Sequence, residues 1–305
     1  MKAFLCVCLC IIGMYAKNLS STPALLPTKI LVSVLPQKEM IEYIGGKYVE
    51  VEVLVPRGKS PEIYEPNIAQ MRHIEDSRVF FGVGMPFESA WLKRIKHINP
   101  SLVYYNLTDE IFLQSNSSIQ PQPKQQEHDH NPHIWLSPKA SLAQIAFITQ
   151  KLSEIHKEQS SFFAQNAALL KTKIEAIQKH TARIFALEKS QKNFVTYHPA
   201  LTYWGAEFHL KELSLEHNGK ELKGRELSTL MAEIKNQKIQ AIFIQPEFAK
   251  SRVEMLAREL GLKIIELDVL RQDWLLSLQD IACQIAFSLS QPESTKCVQE
   301  YFKDK

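Results

Sequence analysis

The sequence predicts an α/β fold of two domains with mainly parallel sheets, joined by a long rigid helix. Three observations predict it. At 305 residues the chain is long for a single domain. Short apolar runs of strand length alternate with helically spaced segments in each half, the order of a parallel sheet with crossover helices. Between the halves, residues 137 to 189 contain almost no Gly or Pro and keep apolar side chains at i, i+3 and i+4.

The elements follow in order. The apolar run Lys29 to Leu35, closed by Pro36, predicts a buried first strand. Lys38 to Ile44 has helical spacing and stops at Gly45-Gly46. Tyr48 to Val55 alternates Val and Glu up to Pro56, a second strand, and Val79 to Val83 and Leu102 to Tyr105 continue the series. Gly82 and Gly84 in FFGVGMPF lack the third glycine of a dinucleotide fingerprint and predict a tight turn after a strand. Gln114 to His130 is rich in Ser, Gln and Pro and reads as a solvated loop. Leu142, Ile145, Ile148 and Leu152 form one helical stripe, and Leu169, Ile174, Ile177 and Ile184 another. They predict a helix followed by a long one that connects the halves; no heptad is sustained, which excludes a coiled coil. In the second half Asn193 to Thr196, Ala241 to Ile244 and Lys263 to Leu267 predict strands, and Trp274 to Leu289 a final helix. The expected division is a leader at 1–16, a first lobe at 29–137, helices at 138–189 and a second lobe at 190–305.

Composition narrows the function. Hydrophobic content of 45% and charged content of 23% belong to a globular chain. A net charge of +3 gives no basic face for nucleic acid, and 10 glycines argue against a phosphate cradle. Lys2, the apolar run Phe4 to Ile12 and the small-residue exit at Ala16 read as a secretory signal peptide, too short for a span of ~20 residues. The mature chain is therefore expected outside the cytoplasm; no transmembrane segment is expected in it, and a monomer is expected. Cys6, Cys8 and Cys10 leave with the leader; a lipid anchor at one of them would need small residues just before the cysteine, whereas Cys10 follows Cys8-Leu9, and the anchor stays open.

Four segments carry candidate ligands for one metal ion. These are Glu62 in SPEIYEP, His133 in NPHIWLSP, His198 in YHPA and Asp268 in ELDVL. Two imidazoles and two carboxylates suit a first-row divalent cation. Glu62, His198 and Asp268 each follow a predicted strand, and ligands collect beyond the carboxyl ends of parallel strands. His133 lies in the loop that closes the first half. Pro132 and Pro199 stiffen the backbone beside the two histidines. A lone histidine or aspartate at a strand end is ordinarily a hydrogen-bonding group; the set drawn from both halves is the signal. No HExxH helix or G-x-S-x-G turn is present, Glu65 and Glu247 suit supporting roles rather than that of a base, and four protein ligands leave no position open for water. The chain is thus expected to hold a metal and not to be an enzyme, the alternative being a secreted metal-dependent hydrolase. His128 and His130 admit two readings, a polar loop that happens to carry histidines or one that gathers metal near the site.

At these segments, and at GVGMPFESAWL (Gly82 to Leu92), YHPALTYWGAEF (Tyr197 to Phe208) and the run from IFIQPEF to IIELDVL, the chain resembles the metal-binding substrate-binding proteins of ABC importers. It is most similar to the zinc-uptake type among the zinc and manganese receptors, over about Ile30 to Phe287. The resemblance implies two α/β domains joined by a long helix, with metal held between them and handed to a membrane permease from the periplasm. His133, His198 and Asp268 fall on ligand positions of the family. Glu62 departs from it, standing where histidine is usual. Zinc receptors resemble three histidines with one carboxylate. Manganese receptors pair two of each, with the extra carboxylate third; this chain keeps histidine third. Zn²⁺ is the expected cargo ahead of Mn²⁺, and Glu62 either coordinates or gives way to water.

Cys283 and Cys297 remain after the leader is removed and are expected to form a disulfide. Closing a loop of about 15 residues would add ~3 kcal/mol on the chain-entropy model. Thiol counting on the unreduced, denatured mature protein should find none free; two per chain would refute the pairing.

Overall fold

Parallel strand pairing organises both halves. The structure, a computed structural model, describes residues 26–114, 131–186, 193–217 and 219–289. The first half runs β1 (Thr28–Val32), α1 (Leu35–Gly45), β2 (Val49–Val53), α2 (Ile68–Asp76), β3 (Val79–Gly82), α3 (Pro86–Ile98), β4 (Val103–Asn106) and α4 (Leu107–Gln114). Its sheet has the order β2-β1-β3-β4, parallel throughout. Two helices follow, α5 (Pro138–Ile155) and α6 (Ser160–Ala186). The second half contains β5 (Asn193–Thr196), α7 (Thr202–Glu207), β6 (Lys211–Ser214), a hairpin of β7 (Glu216–His217) and β8 (Lys220–Glu221), α8 (Gly224–Asn236), β9 (Ala241–Ile244), α9 (Ser251–Leu260), β10 (Lys263–Glu266) and α10 (Trp274–Ser288). Its main sheet, β10-β9-β5-β6, is also parallel. Each sheet starts on an interior strand, adds the next on one side and the rest on the other. The chain therefore reverses direction across the sheet between β1 and β3, and again between β5 and β9.

The interior strands β3, β5 and β9 are buried at every residue, as sheets covered by helices on both faces require. One difference from the sequence reading lies at Lys29 to Leu35. The strand ends at Val32, and α1 starts at Leu35 with Pro36 in its first turn. The buried Gln37 explains it: its Oε1 accepts from the N–H groups of Ser33 and Val34 at 3.0 and 3.2 Å, and its Nε2 donates to Phe81 O at 2.9 Å. The helix can thus begin inside the apolar run without leaving donors unpaired. The strands β6, β7 and β8 went unanticipated. They are short and polar (KELS, EH and KE), so they carry no apolar run.

One core crosses the whole molecule. Phe81 of the first sheet, Trp135, Phe163 of α6, Trp204 and Phe243 of the second half and Trp274 of α10 belong to a single buried cluster. A smaller cluster around Val195, Ile242 and Val253 lies on the other side of the second sheet. The 27 residues of α6 span ~40 Å at about 1.5 Å per residue. This helix packs against α1, α5 and α10 and buries Phe163, Leu170, Ile174, Ile177 and Ile184 along one side. The last helix returns to α1 and α6, and Glu39 of α1 accepts from Trp274 N at its start, a carboxylate at a helix N-terminus. Among the described residues no helix is long and apolar enough to cross a membrane. The leader 1–16, His128 and His130 of the polar loop, and Cys297, the expected partner of Cys283, lie outside the described residues.

Indole hydrogen bonds tie the halves. Trp135 Nε1 donates to Val269 O at 3.0 Å, and Trp274 Nε1 donates to Trp135 O at 2.7 Å. Trp274→Phe removes the second bond and part of a fully buried ring, so it should lower the unfolding free energy of the metal-free protein by about 1–3 kcal/mol. Urea denaturation measures this, and an unchanged midpoint would count against the tie.

Candidate metal centre

Each of the three groups that meet at the centre is held by its own local structure. Glu62 sits in a 3₁₀ turn, Pro61–Ile63, on the connection from β2 to α2. Gln70 of α2 braces that connection: its Oε1 accepts from Tyr64 Oη at 2.6 Å and Asn67 N at 2.7 Å, and its Nε2 donates to Leu54 O. His133 precedes a second 3₁₀ turn, Ile134–Leu136, whose residues are all buried. Asn131 Oδ1 accepts from His133 N at 3.0 Å and lies 2.7 Å from His133 Nδ1. Because Asn131 Nδ2 donates to Pro199 O at 2.9 Å, the amide orientation is fixed and His133 carries its proton on Nδ1. Its Nε2 is left with a free lone pair. His198 follows β5, beside the point where the second sheet reverses. Gln245 Nε2, at the end of β9, donates to His198 O at 3.1 Å, and the Phe248 ring lies 5.4 Å from the imidazole.

The three side chains converge. His198 Nε2 lies 3.4 Å and His133 Nε2 3.8 Å from Glu62 Oε1, and the imidazole centroids are 5.1 Å apart. One ligand atom from each residue falls within 4.8 Å of the others. Bonds of about 2.1 Å to a tetrahedral ion place ligand atoms about 3.4 Å apart, so the spacing fits with little movement. Both histidines are buried and Glu62 is partly exposed.

The two imidazoles differ electrically. Burial, and then the charge of His198, hold the His133 pKa well below its ordinary value, so that ring is neutral. Burial alone would lower His198 too, but hydrogen bonds to Glu216 and Glu62 and the charges of both carboxylates outweigh it and push the pKa up to about 9. Asp268, the fourth candidate, lies in the loop after β10 and outside this close cluster: its Oδ1 accepts from Leu270 N at 3.1 Å, and its backbone carbonyl from Ser277 Oγ at 3.1 Å. Its charge is felt nearby. Burial first, then repulsion from Asp268 and Glu266, raise Glu247 to about 7, while His198 acts on the same carboxyl in the opposite sense. Glu65 points to solvent.

Two residues at the centre escaped the sequence reading, Asn131 and Glu216. Asn131 had a signal, an Asn two residues before a histidine and able to bond its backbone and ring. Glu216 had none, because it reaches His198 only through the hairpin that follows β6.

Two parallel sheets sharing one core, with an imidazole–imidazole–carboxylate cluster drawn from both halves of the chain, define an α/β class of protein with a candidate cation site. Residues 30–286 match the family described as "Zinc-uptake complex component A periplasmic" (ZnuA), and the chain belongs to that family. A crystal structure of a ZnuA deletion mutant with zinc bound is similar at a TM-score of 0.77 and 27% identity, covering 86% of this chain and 98% of that one. The zinc-binding lipoprotein AdcA of Streptococcus pneumoniae is 25% identical over 246 residues, 77% of this chain. The chain spans about half the length of the curated relatives it first matches, 48% in the case of that lipoprotein. FpvC from Pseudomonas aeruginosa, solved in complex with Mn²⁺, shares the fold at a TM-score of 0.71 and 20% identity, over 87% of this chain and 98% of its own.

The raised pKa of His198 would set the pH dependence of any cation binding through its ring. A coordinating imidazole must be neutral, and without metal His198 stays protonated up to about pH 9. Binding near pH 7.5 should therefore release about one proton, and affinity should fall about tenfold per unit as pH is lowered from about 9 to 7. Calorimetric titration with Zn²⁺ in buffers of different ionisation enthalpy counts the proton, and a count near zero would contradict the assignment.

Proposed function

We propose that this chain is a high-affinity extracytoplasmic receptor that binds a divalent metal ion and delivers it to the membrane permease of an ABC importer. In this reading residues 1–16 are removed and the mature protein works as a monomer in the periplasm. The lobes are 29–137 and 190–305 with the helices 138–189 between them, and the chain performs no catalysis. The observation that carries the reading is the convergence of Glu62, His133 and His198 from three distant segments, two of them in connections that follow parallel strands. Asp268 is the proposed fourth ligand, supported by its loop position after β10 and by its charge acting on the same Glu247 that His198 acts on.

Zn²⁺ is the proposed cargo ahead of Mn²⁺. Two imidazoles favour a borderline metal, and at given ligands the order of divalent affinities places Zn²⁺ above Mn²⁺. The separations of 3.4 and 3.8 Å at Glu62 suit short bonds in a four-coordinate site better than a larger shell. The named zinc binding of AdcA and the zinc in the ZnuA structure point the same way. Glu62 in place of histidine is the one feature that pulls toward Mn²⁺, since a bidentate carboxylate raises coordination number.

His198→Ala should lower Zn²⁺ affinity well beyond the ~10–100-fold of a merely supporting residue. In the wild type, competition should leave Zn²⁺ bound against equimolar Mn²⁺. Affinity within about twofold of wild type in the variant would remove His198 from the site. Equal or tighter Mn²⁺ binding would overturn the cargo.

A further inference from the structure

Glu216 faces the side of His198 that the candidate cation site does not use, and no ligand role accounts for it. It opens β7, is only 5% exposed, and its Oε1 lies 3.1 Å from His198 Nδ1. The other ring nitrogen, Nε2, is buried and faces Glu62 Oε1 at 3.4 Å. The hairpin is fastened to the same turn through its backbone: Leu215 N donates to Thr196 O at 3.1 Å and Glu216 N to Tyr197 O at 3.0 Å. Across the hairpin, Glu221 is paired in register with Glu216. Its Oε1 accepts from Tyr197 Oη at 2.8 Å, and Arg252 donates to that carboxylate and that hydroxyl at 2.9 and 2.8 Å. Two carboxylates opposite one another on an antiparallel pair ordinarily repel. Here each is turned to a different member of the Tyr197–His198 dipeptide.

We infer that Glu216 is a positioning residue for metal capture: it accepts the Nδ1–H of His198, fixes the tautomer that presents Nε2 to the cation, and is itself held by the β7–β8 hairpin. The inference rests on the reading of His198 as a ligand. An imidazole bound through one nitrogen is free to rotate unless the other is anchored, and a carboxylate anchor also makes the ring a stronger donor. His133 has a neutral counterpart in the Asn131 amide, 2.7 Å from its Nδ1. The two ligand rings are thus anchored by groups of different charge, and His198 is the more strongly polarised.

The test uses Zn²⁺ alone, with dissociation constants from competition against a chromogenic chelator for the wild type and for Glu216→Ala, Glu216→Gln and His198→Ala. Glu216→Ala should weaken Zn²⁺ binding ~10–100-fold. Glu216→Gln keeps an acceptor for Nδ1–H and should recover most of that loss, with a metal-free melting temperature near wild type. If His198→Ala abolishes tight binding while Glu216→Ala stays within about threefold of wild type, the positioning role is wrong and the ligand assignment stands. If the Gln variant is as weak as the Ala variant, charge rather than ring orientation is at work, and the inference also fails. Unaltered binding in His198→Ala removes both readings. Should Glu216→Ala not fold, imidazole nitrogen-15 spectra of zinc-loaded wild type and Glu216→Gln decide: each must show a protonated Nδ1 at His198, and coordination through Nδ1 in either overturns the proposal.

Discussion

The short segment from Asn131 to Ser137 is the constraint on which the geometry of the centre depends. It is tied to the second half of the chain on three sides. Asn131 donates to Pro199 O, Trp135 donates to Val269 O, and Glu207 of α7 accepts from Ser137 Oγ at 2.6 Å and Lys139 N at 3.1 Å. The same Glu207 accepts from Gln178 of α6 at 2.6 Å, so the start of α5, the connector α6 and the end of α7 share one carboxylate. These bonds are buried or half-buried, where water competes poorly and a lost partner is costly. They fix His133 relative to His198, which would lower the ordering cost of holding a cation between them.

The two sheets reverse at equivalent points but use them differently. In the second sheet the end of β5 at the reversal carries His198. In the first, the corresponding crevice between β1 and β3 is filled by the chain itself. The buried carboxylate of Glu88 accepts from Ser33 Oγ at 2.5 Å, Val83 N and Gly84 N at 3.0 Å each, and Tyr104 Oη at 2.7 Å. A Cβ on Gly82 would meet Glu88 Oε2 at 2.1 Å, and Gly84 has a φ of +84°, so both glycines of FFGVGMPF serve this close approach. With its crevice occupied by an internal anion, the first lobe presents Glu62 from the loop after an edge strand instead. The asymmetry follows from which backbone N–H groups already have a partner.

Electrostatics at the centre is arranged around a missing positive charge. His198 lies between two carboxylates, Glu62 at Nε2 and Glu216 at Nδ1. Without metal that need is met by a proton, which is why the ring's pKa is pushed up to about 9. A dication between Glu62, His133 and His198 would supply the charge in the proton's place, while His133, already neutral through burial, needs no deprotonation. Capture of a metal there and loss of a proton would thus be the same event at one nitrogen.

The sequence by itself determined the class of the fold, most of its strands and helices, and the candidate ligands. Val79 to Gly82, Asn193 to Thr196 and Ala241 to Ile244 are apolar at nearly every position because both faces of a parallel sheet are covered, and that pattern survives in one dimension. The helices α5 and α6 declare themselves for a similar reason, through a periodic apolar face unbroken by Gly or Pro. Glu62 and His198 were readable as candidates because ligands gather beyond strand ends, a property of chain order, and His133 through its place in the segment NPHIWLSP. Tertiary structure alone decided the rest. It set Asp268 apart from the close trio, its Oδ1 engaged by a neighbouring backbone N–H. It put Glu216 and Asn131 on the imidazoles and shifted the pKa values of two chemically identical rings in opposite directions. Hydrophobic periodicity repeats along the chain and can be read from it; a hydrogen bond across 18 residues, or the burial of a particular ring, depends on which surfaces meet, and no local pattern encodes that.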